Sequence, residues 1–228
     1  MMTELQKAYN MQDNKIYSQN NEQDIILSYI EKKKLTSGKL LEVGAYDGET
    51  FSNVRKLMLT YQEWKGVFVE PSSYCFSKLV DMYKMEPRRA ELINLAVVTE
   101  DQLTKSPILK FFESPMSACS SSVEGHVQRW YAEKNSDGDF VNPRKIYVGK
   151  IGIKEVLETF GPFDFINIDV EGYSAAIALQ DWFNPRNYGC KLICVEQDGK
   201  YRELQQKFTN CGYYLLSLNA ENIIMGLP

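Results

Sequence analysis

Apolar positions change their spacing repeatedly along this chain, and the changes read as helices alternating with short buried strands. The first 20 residues are polar and aperiodic, and we expect a loose arm there. From Asn21 to about Lys34 the apolar residues Ile26, Tyr29 and Ile30 recur at helical spacing. Lys39–Val43 then forms a short apolar strand that runs into Gly44-Ala45-Tyr46-Asp47-Gly48. A helix is predicted next, with Phe51, Val54, Leu57, Met58 and Tyr61 on one face. Gly66–Glu70 is a strand stopped by Pro71, and Ser72 or Ser73 can cap the helix that buries Phe76, Leu79, Val80 and Tyr83. Leu92 to Val98 is a third strand.

Between about residues 99 and 146 the rhythm breaks. Ser, Pro, Asn and charged residues become frequent, with a predicted strand at Ile108–Phe112 and a short helix at Val123–Glu133. We expect an insertion or lid over one end of a sheet. The alternation resumes with a helix marked by Val156, Leu157 and Phe160 and ended by Gly161-Pro162. Phe163–Asp169 is almost continuously apolar, as in a strand buried on both faces. A turn at Val170-Glu171-Gly172, a helix from Tyr173 to Gln180, a strand from Cys190 to Glu196 and a helix from Tyr201 to Asn210 follow. Two final runs, Tyr213–Leu218 and Asn222–Met225, are close enough to pair antiparallel at a sheet edge. Residues 21–228 are therefore expected to be one α/β domain, with a mostly parallel seven-stranded sheet and helices on both faces.

Composition narrows the function classes. The 228 residues are 44% hydrophobic and 25% charged, with a net charge of −4. That balance speaks against a nucleic-acid binder, which is usually basic, and no apolar run approaches the ~20 residues of a membrane span. The polar start shows no secretory signal, so a cytoplasmic location is expected. Five cysteines, Cys75, Cys119, Cys190, Cys194 and Cys211, read as buried thiols rather than a disulfide framework. A single histidine, His126, excludes any site needing two imidazoles.

In an open parallel sheet, ligands bind beyond the carboxyl ends of the strands. Four predicted strands end in carboxylates: Glu42 with Asp47, then Glu70, then Asp169 with Glu171, then Glu196 with Asp198. Burying such groups is costly unless something pairs with them, so a ligand rich in hydroxyl or cationic groups is expected. Gly44 and Gly48 permit sharp turns, but Tyr46 stands where a dinucleotide loop needs glycine, which disfavours NAD. Glu70 is placed to accept hydrogen bonds from both hydroxyls of a ribose. S-adenosylmethionine meets these demands: it has a ribose, no phosphate, an ammonium group and a sulfonium, toward which the Tyr46 ring can turn its π face.

The segments Leu41–Thr50, Trp64–Pro71 and Phe165–Tyr173 resemble the FkbM-type methyltransferases, most specifically in Asp169-Val170-Glu171-Gly172-Tyr173. Tyr17-Ser18-Gln19 with Glu22 and Asp24 is similar to the opening segment of that family. The resemblance implies a class I Rossmann-like methyltransferase fold, S-adenosylmethionine as donor, and O-methylation of sugars or polyketide-type products. Asn167 stands where many relatives carry lysine. We expect Glu42, Gly44, Ala45, Tyr46, Asp47, Gly48, Glu70, Pro71 and Asp169 at the donor. Asp169, Glu171 and His126 are the candidate catalytic groups for a small hydroxylated acceptor or glycan. For Asp169 and Glu171 the structural alternative is capping of the helix near Tyr173. A divalent cation on Asp169, Glu171, Glu196 and Asp198 is a less favoured alternative, because the two pairs lie on different strands. A binding module that kept the fold without catalysis is the alternative from another functional class.

Overall fold

The computed structural model describes residues 15–114, 120–123, 125–127 and 143–228. In chain order the described elements are α1 (Glu22–Lys32), β1 (Ser37–Val43), α2 (Arg55–Thr60), β2 (Glu63–Val69), α3 (Ser73–Tyr83), β3 (Ala90–Ile93), β4 (Ala96–Val98) and α4 (Glu100–Leu103). There follow β5 (Ile108–Glu113), β6 (Arg144–Gly152), α5 (Ile153–Phe160), β7 (Phe165–Ile168), α6 (Ser174–Ala178), β8 (Leu192–Glu196), α7 (Tyr201–Asn210), β9 (Tyr214–Leu218) and β10 (Asn222–Gly226).

Seven strands form one sheet in the order β3-β2-β1-β7-β8-β10-β9. All pairs from β3 to β8 are parallel, and only β10 runs against its neighbours. This is the expected α/β sheet with its antiparallel edge pair. Successive residues of the central strands face opposite layers. Leu41, Val67, Ile166 and Ile193 pack against Val156 and Leu157 of α5 and Leu204 and Phe208 of α7. Leu40, Phe68, Phe165 and Leu192 pack against Ile26 and Ile30 of α1, Leu57 of α2 and Leu79 of α3. Each fully buried side chain of this size stabilises the fold by about 1.5–3 kcal/mol. The continuous apolar runs seen in the sequence arise because both faces are covered.

Several expectations are corrected. Leu92–Val98 is two strands, because Asn94 turns the chain and its side-chain amide donates to the carbonyls of Glu70 and Pro71. Beyond that turn, β4 pairs parallel with β6, and β5 pairs antiparallel with β6, giving a separate three-stranded sheet. The sequence pattern missed β6 altogether, since its alternation is obscured by Lys145, Lys150 and two glycines. The helix after Gly48 begins only at Arg55, and Phe51 is 53% exposed with φ +56°, bridging back to Ser18. Val80 is exposed on the outer face of α3. Within the expected arm, Tyr17 and Ser18 are buried and their backbone N–H groups donate to Gln23, while Lys15, Ile16, Gln19 and Asn20 are exposed. Most of the predicted helix Val123–Glu133 lies outside the described residues, as does Cys119. Cys75, Cys190 and Cys194 are buried thiols. Among the described residues no helix is long and apolar enough to cross a membrane.

Candidate active site

The ends of β1, β2 and β7 open onto a cleft of about 710 Å³. Its half at the ends of β1 and β2 is built by backbone. The N–H groups of Gly44 and Ala45 both donate to the Val69 carbonyl, at 2.9 and 3.1 Å, folding the loop over the end of β2. Gly44 has φ +86°, and a Cβ there would lie 1.7 Å from the carbonyl oxygen of Asp169. The glycine is required by the close passage of the chain leaving β7. Tyr46 (φ +50°) then points its N–H at Glu70 Oε2, 2.9 Å away, while Ser72 N–H donates to Oε1 at 2.8 Å. Burial nevertheless pushes the Glu70 carboxyl up to about 8, against the opposing pull of these two donors. Burial likewise pushes the Tyr46 phenol up to about 12, so it stays neutral.

Glu42 lies one residue before the end of β1 and is paired in register with Asn167 of β7. Only 2% of it is exposed. Ser52 donates to its Oε1 at 3.1 Å, whereas its Oε2 is buried with no partner among the described residues. Burial pushes this carboxyl up to about 8. Asn167, to which the sequence reading gave no role, lines the cleft and accepts a hydrogen bond from Asn53.

Of the residues expected at the donor, Glu42, Gly44, Ala45, Tyr46, Glu70, Pro71 and Asp169 line the cleft. Asp47 and Gly48 do not. Asp47 accepts from Glu49 N–H and from both the N–H and the hydroxyl of Thr50, closing its own turn. Gly48 (φ +79°) faces α3, where a Cβ would meet Leu79 Cδ1 at 2.7 Å.

The half at the end of β7 is built by side chains. Asp169 follows β7, its N–H bonded to the Val43 carbonyl. Burial, reinforced by the nearby Glu171 and Asp198, pushes its carboxyl up to about 8. Glu171 (φ +54°) sits in the turn between β7 and α6, and its Oε2 lies 2.8 Å from His126 Nε2. Ser121 donates its hydroxyl to the Glu171 carbonyl at 2.6 Å. Two links thus join the stretch around His126 to this turn. Helix capping falls elsewhere: Ala175 N–H donates to Asp198 at 2.8 Å, not to Asp169 or Glu171. Glu196 closes β8, accepts from the Ser174 hydroxyl at 2.8 Å and is held well above the usual carboxylate range by burial and by Asp169 and Asp198. The four carboxylates at the ends of β7 and β8 converge, although the sequence left them on separate strands.

The sequence reading also missed Phe111 and Ser120, which reach the cleft from the three-stranded-sheet region, and Gln19 from the opening segment. No local pattern marks them. Glu42, Glu70, Asp169 and Glu171 contribute four carboxylates to the lining, and none of its described residues is Lys or Arg. An apolar annex of about 330 Å³ adjoins the cleft, lined by Val69, Pro71, Leu95, Ala96, Leu109 and Phe111.

The sequence model of the Methyltransferase FkbM domain matches residues 42–215, well over half of the chain and both halves of this cleft. The chain belongs to the FkbM methyltransferase family. Its seven-stranded sheet is accordingly the class I, Rossmann-like methyltransferase arrangement. No curated protein matches this FkbM-family chain. It is similar in structure to the methyltransferase FkbM from Methylobacillus flagellatus KT, with a TM-score of 0.47 and 10% identity over 83% of this chain and 44% of that one. The chain thus spans less than half the length of that relative. A provisionally assigned RNA methyltransferase from Pyrococcus horikoshii has a TM-score of 0.46 and 8% identity, over 99% of this chain and 96% of that one. A provisionally assigned caffeoyl-CoA O-methyltransferase from Staphylococcus aureus has a TM-score of 0.44 and 11% identity, over 97% and 90%. All three scores lie below 0.5; the fold rests on the strand order and the family on the sequence match.

Proposed function

We propose that this FkbM-family methyltransferase uses S-adenosylmethionine to methylate a hydroxyl oxygen of a small molecule or glycan in the cytoplasm. The observation that carries the reading is the convergence of Glu42, Glu70, Asp169 and Glu171 on one cleft at the carboxyl ends of β1, β2 and β7. The residues fit the donor. The unpartnered, buried Oε2 of Glu42 suits an ammonium group. Glu70, oriented by two backbone N–H groups, suits the ribose hydroxyls, and the apolar annex suits an adenine ring. A cleft lined by carboxylates and free of Lys and Arg among its described lining residues disfavours a phosphorylated acceptor or a nucleic acid.

When bound, the donor supplies a methyl carbon to which the acceptor oxygen bonds while the carbon–sulfur pair returns to sulfur. The chain's contribution is alignment and proton transfer, and alignment alone can supply several kcal/mol of the barrier reduction. Asp169 takes the acceptor's hydroxyl proton. A carboxyl held at about 8 is a stronger base than an ordinary aspartate and is matched to neutral pH. Glu171, held by His126, orients the acceptor beside it.

The test is donor turnover against a panel of glycans and hydroxylated natural products, followed by release of S-adenosylhomocysteine. Asp169→Asn is expected to lower turnover by about 100-fold, in the usual range for a lost general base, with donor affinity nearly unchanged. Equal loss of both would make Asp169 structural. Donor binding without turnover on any acceptor would favour the binding-module reading.

A further inference from the structure

We propose that His126, Glu171 and Glu196 form a binding site for a divalent first-row transition-metal ion beside the cleft, which Glu171 lines. The imidazole and one carboxylate oxygen from each glutamate all lie within 4.8 Å of one another. Small side-chain rotations would bring the three atoms to the ~2.0–2.2 Å bonds such an ion makes with nitrogen and oxygen. The ligands come from three separate places: the stretch after β5, the turn after β7, and the end of β8. One of them is oriented from behind, as ligands in metal sites usually are: Ser174 donates to Glu196 Oε2. Ser121 donates to the backbone carbonyl of Glu171 and so holds the turn that carries the second carboxylate.

Two independent observations ask for a cation in this cleft. Asp169 lines it with Glu42 and Glu171, and its carboxyl receives no hydrogen bond from any described residue. Glu42, 2% exposed, lines the same cleft with an Oε2 that has no partner among the described residues. No Lys or Arg is paired with Asp169, Glu171, Glu196 or Asp198 among the described residues. The sulfonium and ammonium of the proposed donor answer Glu42, whereas the group at the ends of β7 and β8 has only the imidazole of His126 beside it among the described residues. A mixed imidazole and carboxylate set favours Mn²⁺ or Zn²⁺ over Mg²⁺ or Ca²⁺, which prefer oxygen alone. The ion would hold the acceptor hydroxyl and lower its pKa, with the proton still passing to Asp169 and no change of oxidation state. This role rests on the proposed function; the binding of the ion does not.

The experiment uses the full chain after chelator treatment. Calorimetry with Mn²⁺ and with Zn²⁺ should show one saturable site for at least one of them. Affinity should fall at least about tenfold, or about 1.4 kcal/mol, in both Glu171→Gln and His126→Gln. Asp81→Asn, an exposed carboxylate on α3, should leave it unchanged. Nitrogen modulation in the electron spin echo of bound Mn²⁺ should be present in the unmodified chain and vanish in His126→Gln. That signature reports imidazole coordination directly, even if a variant folds poorly. Failure of both ions to bind, unchanged affinity in either variant, absence of the nitrogen signal, or tighter binding of Mg²⁺ or Ca²⁺ would each overturn the site. S-adenosylhomocysteine binding, measured on the same samples, separates the two readings: its loss with the metal retained sinks the donor assignment alone.

Discussion

The two halves of the cleft are held by different means. At the ends of β1 and β2, the proposed donor half, the Glu70 carboxyl is fixed by the backbone N–H groups of Tyr46 and Ser72, and the Gly44 loop is fixed by the Val69 carbonyl. These groups belong to neighbouring parallel strands and the loops that leave them. Beyond β7, in the proposed acceptor half, Glu171 is fixed by a histidine side chain from the segment before β6. Backbone contacts between adjacent strands are difficult to lose without losing the sheet. A side-chain tether between separate segments can open or change with little effect on the rest.

The largest expected effect is at Gly44. Gly44→Ala places a Cβ against the Asp169 carbonyl in a left-handed conformation, and should destabilise the fold by at least about 3 kcal/mol in urea denaturation. A loss below about 1 kcal/mol would show that the loop yields easily and would break the contrast. Next comes Glu70→Ala, which leaves two N–H donors unpaired at about 1–3 kcal/mol each. It should also weaken S-adenosylhomocysteine binding by about 30-fold or more by calorimetry, about 2 kcal/mol.

A smaller effect is a pH dependence. Glu42, Glu70 and Asp169 are each raised to about 8 in the folded chain, from ordinary values near 4. The folded state therefore holds more protons than the unfolded state between about pH 4 and 8. Their contribution is fully present below the unfolded values and is lost as pH rises through about 8. The ligand-free melting temperature should fall by several degrees between pH 6 and 9. Glu42→Gln should flatten part of that slope; a slope unchanged in this variant would remove Glu42 from the account.

The smallest stability change is expected at His126→Gln, about 1 kcal/mol or less for a half-buried hydrogen bond. Turnover should nevertheless fall about tenfold, about 1.4 kcal/mol of barrier, with donor affinity unchanged. A stability loss as large as that of Gly44→Ala would show both halves to be equally rigid.

Much of the framework was legible in the residues themselves. The strand–helix alternation, the antiparallel closing pair and the Ser72 cap, whose hydroxyl accepts from Cys75 N–H, follow from local periodicity and short-range hydrogen bonding. So does the clustering of carboxylates at strand ends, because in a parallel sheet those ends all point the same way. What local pattern could not carry was the pairing of distant segments. The three-stranded sheet joins β4 and β5 to β6 across the stretch that broke the rhythm. Gly48, read as a ligand-facing turn, instead accommodates Leu79 of α3.

The linear sequence, then, determined which residue types stand at the end of each strand, since side-chain period and turn chemistry are properties of a few consecutive residues. Only the tertiary structure decided which of them meet. The meeting of His126 with Glu171, of Glu196 with Asp169, and of Asp198 with the start of α6 depends on how strands and loops far apart in the chain are brought together. That is fixed by burial on the two faces of the sheet and not by any local rule.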